Sequence, residues 1–170
     1  MFTECREHLI EKLKEAGIRS RPYTSMKKLR ASQEAHVGAV LFEEETFDRS
    51  GAKTIYRDQT GAQHKRRKVF SRETTFSVII GDPDPKRTEE IFEAFLGALD
   101  KGIYIDGNYT PIEVTEAEWV DEDDSILKSK VAVNVKIKFM GGVYKDTDFA
   151  KLTEVEVESV IKGKETQHGE

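Results

Sequence analysis

The chain has a single cysteine, Cys5, in 170 residues. An intramolecular disulfide and any cysteine-based metal cluster are therefore excluded. No uninterrupted apolar run approaches the roughly 18–20 residues that a membrane-spanning helix needs. The N-terminus, MFTECREHLIEKLKEAG, is too charged to read as a secretory signal. Together these point to a soluble protein made inside the cell, with no membrane role. Nucleotide motifs are also missing. Neither GxGxxG nor GxxxxGK[ST] occurs, and MGGV at 140–143 reads as a turn after a strand. There is no HExxH, and His8, His36, His64 and His168 show no metal-pair spacing. There is no GxSxG elbow, and Cys5 falls on the apolar stripe of a helix, where a free thiol is a small core residue. DEDDS at 121–125 supplies carboxylates, but the sixth residue from Asp121 is Ile126, where a calcium loop needs glycine. No catalytic, cofactor or metal site is expected, and the reading is a protein that is not an enzyme.

What is present is charge and a modest set of aromatics. Charged residues make up 35% of the chain, hydrophobic residues 37%, and the net charge is −5. Nine Phe, five Tyr and one Trp supply bulk for one core. A protein that coats nucleic acid is usually basic overall. Any such role here rests on a local patch.

Residues 3–16 read as a helix, with Thr3 as N-cap and Gly17 as stop. Cys5, Leu9, Leu13 and Ala16 share one face. Residues 18–35 form a basic connection, with Pro22 against a continuous helix and a short helix over 25–33. HVGAVLFEEETFD at 36–48 reads as a strand. The stretch 49–68 is a charged excursion, a long hairpin or loop with Gly51 and Gly61. The chain returns through 69–82, where Phe76, Val78 and Ile80 face the core. Residues 84–102 are the strongest helix, with Asp84 as N-cap, Pro85 at the first position, Ile91, Phe92, Phe95, Leu96 and Leu99 as stripe, and Gly102 as left-handed stop. Asp106–Gly107–Asn108 is a turn between short β segments. TEAEWVDEDDS is acidic, with Trp119 its only large apolar residue, and DEDDS at 121–125 reads as a solvated acidic loop. Val131, Val133, Val135, Ile137 and Phe139 alternate in a strand that GGVYKDTDFAK breaks. LTEVEVESVI alternates again at Val155, Val157, Ser159 and Ile161. The expectation is one α+β domain over 1–162. It has a mainly antiparallel sheet, two principal helices on one face and a protruding charged hairpin at 49–68. Residues 141–162 are a C-terminal extension or arm, and 163–170 a disordered tail.

The charge distribution carries the functional reading. Lys65, Arg66, Arg67, Lys68 and Arg72 are basic. Glu43, Glu44 and Glu45 form one acidic run. Glu113, Glu116, Glu118, Asp121, Glu122, Asp123 and Asp124 form an acidic band. Each run has a plain reading as solvated surface. Alternatively, a subunit with unlike charged surfaces binds copies of itself head to tail, and closes a ring where the rotation allows. A nucleic-acid module using the basic 64–72 hairpin is the other reading.

The order of FTECREHLIEKLKEAG, the long charged segment FEEETFDRSGAKTIYRDQTGAQHKRRKVFSRETTFSVII, the helix TEEIFEAFLGALDKG and the strand VAVNVKIKF resembles tail terminator and tail-completion proteins of long-tailed bacteriophages and prophages. The resemblance spans roughly residues 2–140 and is one of element order and texture. It implies an α+β subunit of a ring, typically a hexamer, that caps the tail tube and joins it to the head by protein–protein contacts. It implies copies of itself, tube proteins and head–tail joining proteins as partners, with no catalysis. DNA would pass near without being read. The location implied is the virion tail, after synthesis in the bacterial cytoplasm. The segment beyond about 141 departs from the pattern.

Overall fold

The structure is a computed structural model and describes residues 1–32, 34–57, 60–121 and 131–148. It is an α+β fold dominated by an antiparallel sheet. Nine elements follow one another: α1 (Phe2–Glu15), α2 (Met26–Ala31), β1 (Val37–Arg49), β2 (Lys53–Arg57), β3 (Gln63–Asp82), α3 (Pro85–Ala98), β4 (Gly102–Ile105), β5 (Asn108–Asp121) and β6 (Val131–Asp148). The sheet runs β1-β3-β6-β5-β4, and β2 pairs with the leading end of β3.

Strand alternation decides where the core lies. Val40 on β1, Phe76, Val78 and Ile80 on β3, and Val133, Val135, Ile137 and Phe139 on β6 are buried against α1 and α3. Phe76 opposes Ile137, and Val78 opposes Val135. Below them, Cys5, Leu9, Ile10 and Leu13 of α1 meet Ile91 and Phe95 of α3. The intervening β1 positions, Val37, Ala39 and Leu41, face the other way and pack with Leu29 of α2, Tyr23 and Ile79. The two principal helices thus share one face, while α2 covers a corner of the opposite one. Tyr23 locks that corner as a one-residue parallel bridge: its N–H donates to the Gly38 carbonyl at 2.8 Å, and its carbonyl accepts from Val40 N–H at 2.7 Å.

Capping follows the sequence in part. Asp84 accepts from Lys86 N–H at 3.1 Å with Pro85 beside it, and Gly17 leaves α1 at φ +113°. Thr3 does not cap α1, which begins one residue earlier with Met1 at the cap. Gly102 does not stop α3. That helix ends in the extended residue Leu99, and Gly102 opens β4. A Cβ on Gly102 would meet Tyr109 Cζ at 2.5 Å and the Thr110 carbonyl at 2.7 Å, so close packing explains the glycine. Asp106 and Gly107, both at positive φ, form the two-residue turn between β4 and β5.

Two breaks expected from the sequence are absent. GGVYKDTD does not end the alternating strand: β6 continues to Asp148 because β3 is long enough to pair with it throughout. The short β segment expected after the 106–108 turn does not stop before TEAEWVD: that stretch is the second half of β5, with Glu116, Glu118 and Trp119 in register with Lys136, Asn134 and Val133. A polar strand on a half-solvated sheet satisfies its backbone as well as an apolar one. The segment 49–68 contains an antiparallel β2–β3 hairpin, whose β3 arm also pairs with β6. The expected strand at 152–161 and tail at 163–170 lie outside the described residues.

Phe76 is fully buried and its ring meets Phe2, Phe42 and Phe139 at centroid distances of 5.5, 6.2 and 6.0 Å. Phe76→Ala is expected to cost about 3–5 kcal/mol in urea unfolding. A loss under about 1 kcal/mol would show that this cluster is not the centre of the core.

Candidate interaction surfaces

The sheet face opposite α1 and α3 carries a charge ladder. Lys136 and Lys138 project from β6 between acids on both neighbours. Lys136 Nζ lies 2.9 Å from Glu116, and Lys138 Nζ lies 3.0 Å from Glu73. These carboxylates hold both ammonium groups above their ordinary range, with Glu43 and Glu118 adding to the field at Lys136, and Glu113 and Glu44 at Lys138. Two acidic runs far apart in sequence are thus neighbours on one surface, joined by a lysine column.

Glu45 points away from its two acidic neighbours. It accepts from Arg72 Nε at 2.7 Å and from the Thr74 hydroxyl at 2.8 Å. Burial raises its pKa, but those hydrogen bonds outweigh it and the net shift is downward. A bulge in β1 between Phe42 and Glu44 produces the reversal, because one extra residue changes which side chains face which layer.

Arg66 is the most heavily used side chain of the basic segment. Its Nε and Nη2 donate to the two Asp146 carboxylate oxygens at 2.7 Å each. Nη1 donates to the Asp106 carbonyl at 3.1 Å and to Asn108 Oδ1 at 3.3 Å. The guanidinium lies 4.4 Å from the centroid of Tyr56, whose hydroxyl donates to Asp146 at 2.9 Å and whose ring stacks on His64 at 5.4 Å. One side chain therefore ties β2, β3, β6 and the β4–β5 turn together. The bidentate arginine pulls Asp146 from 3.8 to about 2.

The opposite face of the same ribbon is different. Lys53, Arg67 and Lys145 are register partners on β2, β3 and β6, forming a row of three exposed cations. Ile55, Lys65 and Thr147 form the next row. A depression of about 270 Å³ is lined by Lys53, Lys65, Arg66, Arg67, Lys145 and Thr147. Among the described residues, Lys53, Arg67 and Lys145 have no ion pair.

A third surface follows the β1 edge. Phe42 and Phe47 are 48% and 50% exposed. Phe42 packs edge-on to Phe2 at 5.3 Å, and Phe47 edge-on to Phe70 at 6.4 Å. Arg72 lies over Phe47 at 5.6 Å and Arg49 over Phe70 at 4.6 Å. At the other end of the sheet, Tyr104 and Tyr109 are 77% and 46% exposed and 5.3 Å apart.

Of the residues expected at an interface, Arg66 and Arg72 are engaged within the chain, Lys65, Arg67 and Lys68 lie along the leading half of β3, and Glu43 and Glu44 are exposed beside the β1 edge. The Asp121 backbone ends β5, whereas Glu122, Asp123 and Asp124 lie outside the described residues. Sequence reading did not bring Tyr56, Asn108 and Asp146 to Arg66. It also missed Lys53 and Lys145 beside Arg67. The alternation in VYKDTD is the one local signal that would have placed Lys145 and Asp146 on opposite faces of a strand. Burial pushes the Cys5 thiol up to about 12, which leaves it no thiolate at neutral pH. His36 pairs with the buried Asp82 at 2.7 Å, pinning the start of β1 to the end of β3. Among the described residues, no group of three His, Cys, Asp or Glu is placed to hold a metal, and no helix is long and apolar enough to cross a membrane.

No protein-family model matches the chain, and no curated protein matches it. Among solved structures it is similar to a chain in the tail of an empty GTA particle, computed with helical refinement and C6 symmetry. The TM-score is 0.30 and the identity 14%, over 73% of this chain and 98% of that one. At that score the likeness carries no argument about this chain.

Because Asp146 titrates lower in the folded state than its ordinary 3.8, its contribution is fully present above that value and is lost as pH falls through it toward 2. Asp146→Asn is expected to be less stable than the parent at pH 7, with the gap closing between about pH 4 and pH 2 in urea titrations. A gap that does not change with pH would show that the Arg66 pair does not set that carboxyl's titration.

Proposed function

We propose that the chain is a structural subunit of a bacteriophage tail assembly that acts by protein–protein contacts. The finer reading is a ring-forming tail terminator that caps the tail tube and joins it to the head. One observation carries the self-assembly part: the sheet ends in two unlike edges. Beyond the Tyr23 bridge, the outer edge of β1 from Leu41 to Arg49 has no strand partner among the described residues and carries the half-exposed Phe42 and Phe47. The other end is the short strand β4 with Tyr104 and Tyr109. Unpaired edge groups and exposed aromatics favour association. Unlike edges meet head to tail rather than as a two-fold dimer, and that geometry builds a ring where the rotation closes. Glu43 and Glu44, exposed beside the β1 edge, supply the charged part of the contact. The element order of phage tail-completion proteins supports the setting, with copies of the chain, tube proteins and head–tail joining proteins as partners in the virion. This reading assigns no catalysis.

The expected result is an oligomer in light scattering at low salt. Phe42→Ser with Phe47→Ser should shift it toward monomer at unchanged circular dichroism. A strict monomer at high concentration would overturn the ring.

The row Lys53–Arg67–Lys145 favours a second reading, non-specific contact with nucleic acid. That reading predicts oligonucleotide binding that weakens steeply with salt. No binding at micromolar protein and low salt excludes it.

A further inference from the structure

The two outer boundaries of the sheet are stepped, and the register fixes where each step falls. On one side, β4 covers β5 from Asn108 to Pro111, and the Lys101 carbonyl accepts from Ile112 N–H. From Glu113 to Asp121 the outer edge of β5 has no strand partner among the described residues. The boundary recedes there by one strand spacing, about 4.8 Å. On the other side, Tyr23 is bridged to Ala39 outside β1, so the boundary advances at that level. From Leu41 onward β1 itself is the boundary, with no outer partner among the described residues.

The two steps sit at matching levels. Ala39 lies in the row Ala39–Ile79–Asn134–Glu118. Glu45 lies in the row Glu45–Thr74–Phe139–Ile112, where Lys101 begins the β4 step. Two residues on along β1 and β4, Phe47 comes level with Ile103, next to Tyr104. A ring that joins sheet edges sets its strands along the axis, and rotation about that axis keeps every row at its level. The advanced Tyr23 segment of one copy then falls in the recess beside Glu118 of the next. The advanced β4 of that next copy falls against the bare β1 of the first. One alignment fills both steps.

Charge follows the same alignment. No acidic residue lies between Glu15 and Glu34. Arg19, Arg21, Lys27, Lys28 and Arg30 are all exposed in that interval, with no ion pair among the described residues. Arg21 and Lys28 share a depression of about 400 Å³ with Tyr23 and Thr24. In the recess, Glu118 is exposed and has no ion pair among the described residues. It is on the α2 side of the sheet: its partner Asn134 bonds to Ser77, which is in register with Leu41 of the α2 cluster. Lys101, also exposed, comes level with Glu45 and one residue from Glu44.

We propose that the Arg21–Thr24 segment of one copy seats in the β5 recess of a second copy, with its Arg21 and Lys28 against that copy's Glu118 and its Glu44 against that copy's Lys101. The basic corner thus has a second copy of this chain as its partner. The inference rests on the ring reading and gives the ring a specific joint, made of interlocking steps with opposite charges on them.

The test mixes unlabelled and ¹⁵N-labelled full chain at high salt, brings the mixture to low salt and applies a zero-length carbodiimide cross-linker. The expected products join Lys28 to Glu118, and Lys101 to Glu44, between chains of different isotope. Arg21→Glu with Lys28→Glu is expected to weaken the oligomer about tenfold, and Glu118→Lys to do the same. An equimolar mixture of those two variants should assemble again, because each supplies the charge that the other lacks. That restoration separates charge pairing from misfolding. An oligomer without these cross-links, or with them confined to one isotope, overturns the joint and leaves the ring standing. So does an oligomer that both variants leave unchanged, or a mixture of variants that stays dissociated while the wild type assembles. A wild type that is strictly monomeric overturns the ring and the joint together.

Discussion

The pairing of β3 with β6 is the constraint on which the other elements depend. β3 is hydrogen-bonded along its length to β6, while its other side takes β1 over one half and β2 over the other. A strand bonded on both sides has no unsatisfied backbone edge, so its polarity is set by its faces alone. That is why one strand can be basic at Lys65–Lys68 and fully apolar on one face at Phe76–Ile80. The helices follow from the second half: α1 and α3 cover the apolar surface that β3 and β6 present together with Val40, extended by Ile105 and by Trp119, which meets Phe92 of α3. Among the described residues the charged half has no helix over it, and side-chain bonds hold it together.

Bulges convert one long ladder into surfaces of different character. Between Lys68 and Phe70 the β3–β6 register shifts by one residue, and a shift of that size exchanges the faces of everything beyond it. Before that shift, plain alternation sets Arg66 and Asp146 on one side, with Lys53, Arg67 and Lys145 on the other. The β1 bulge separates Glu45, bound by Arg72, from Glu44, which faces the lysine column. Ion pairs at an exposed surface contribute little each. Arg66 is different in kind, because a bidentate carboxylate, a carbonyl, an amide oxygen and a stacked ring fix it at once.

Much of the fold was legible in the sequence because its signals are local. Asp84–Pro85 starts a helix, Asp106–Gly107 makes a turn, and five alternating apolar residues from Val131 to Phe139 make a one-face-buried strand. The failures share a cause. GGVYKDTD and TEAEWVD lack apolar alternation and were read as interruptions, yet both continue strands because a partner strand was already there to pair with them. Strand length in an antiparallel sheet is settled by the neighbour as much as by the segment itself. The site residues were legible as charge runs and illegible as pairs. Arg66 and Asp146 are 80 positions apart, and nothing in either neighbourhood names the other. Head-to-tail complementarity between basic and acidic runs is the composition's reading; one of its pairs, Arg72–Glu45, is made inside the subunit, and Glu73 and Glu116 are taken by Lys138 and Lys136 of β6.

That internal satisfaction changes which surface is available to drive assembly. An ion pair already made at 2.7–3.0 Å within the chain gains nothing from exchange with an equivalent group on a neighbour, since desolvation is incurred twice and the Coulomb energy is recovered once. Exposed aromatic area has no such competitor. Phe42 and Phe47 are in contact with their own chain on one side and water on the other, and they lie beside an unpaired strand edge that a protein must either cover or use. Natural edges are blunted by proline, by inward charge or by a covering segment. Here Tyr23 covers only the first part of β1, and from Phe42 onward Phe42, Phe47 and the Arg72-bound Glu45 share one face of the strand while Glu44 and Asp48 occupy the other. The arrangement keeps an isolated subunit from pairing indiscriminately, through the repulsion of Glu43, Glu44 and Asp48 against a like edge. It also leaves the edge open to a partner whose facing residues are uncharged and aromatic. The hairpin carrying Tyr104 and Tyr109, at the opposite end of the same sheet, has that chemistry.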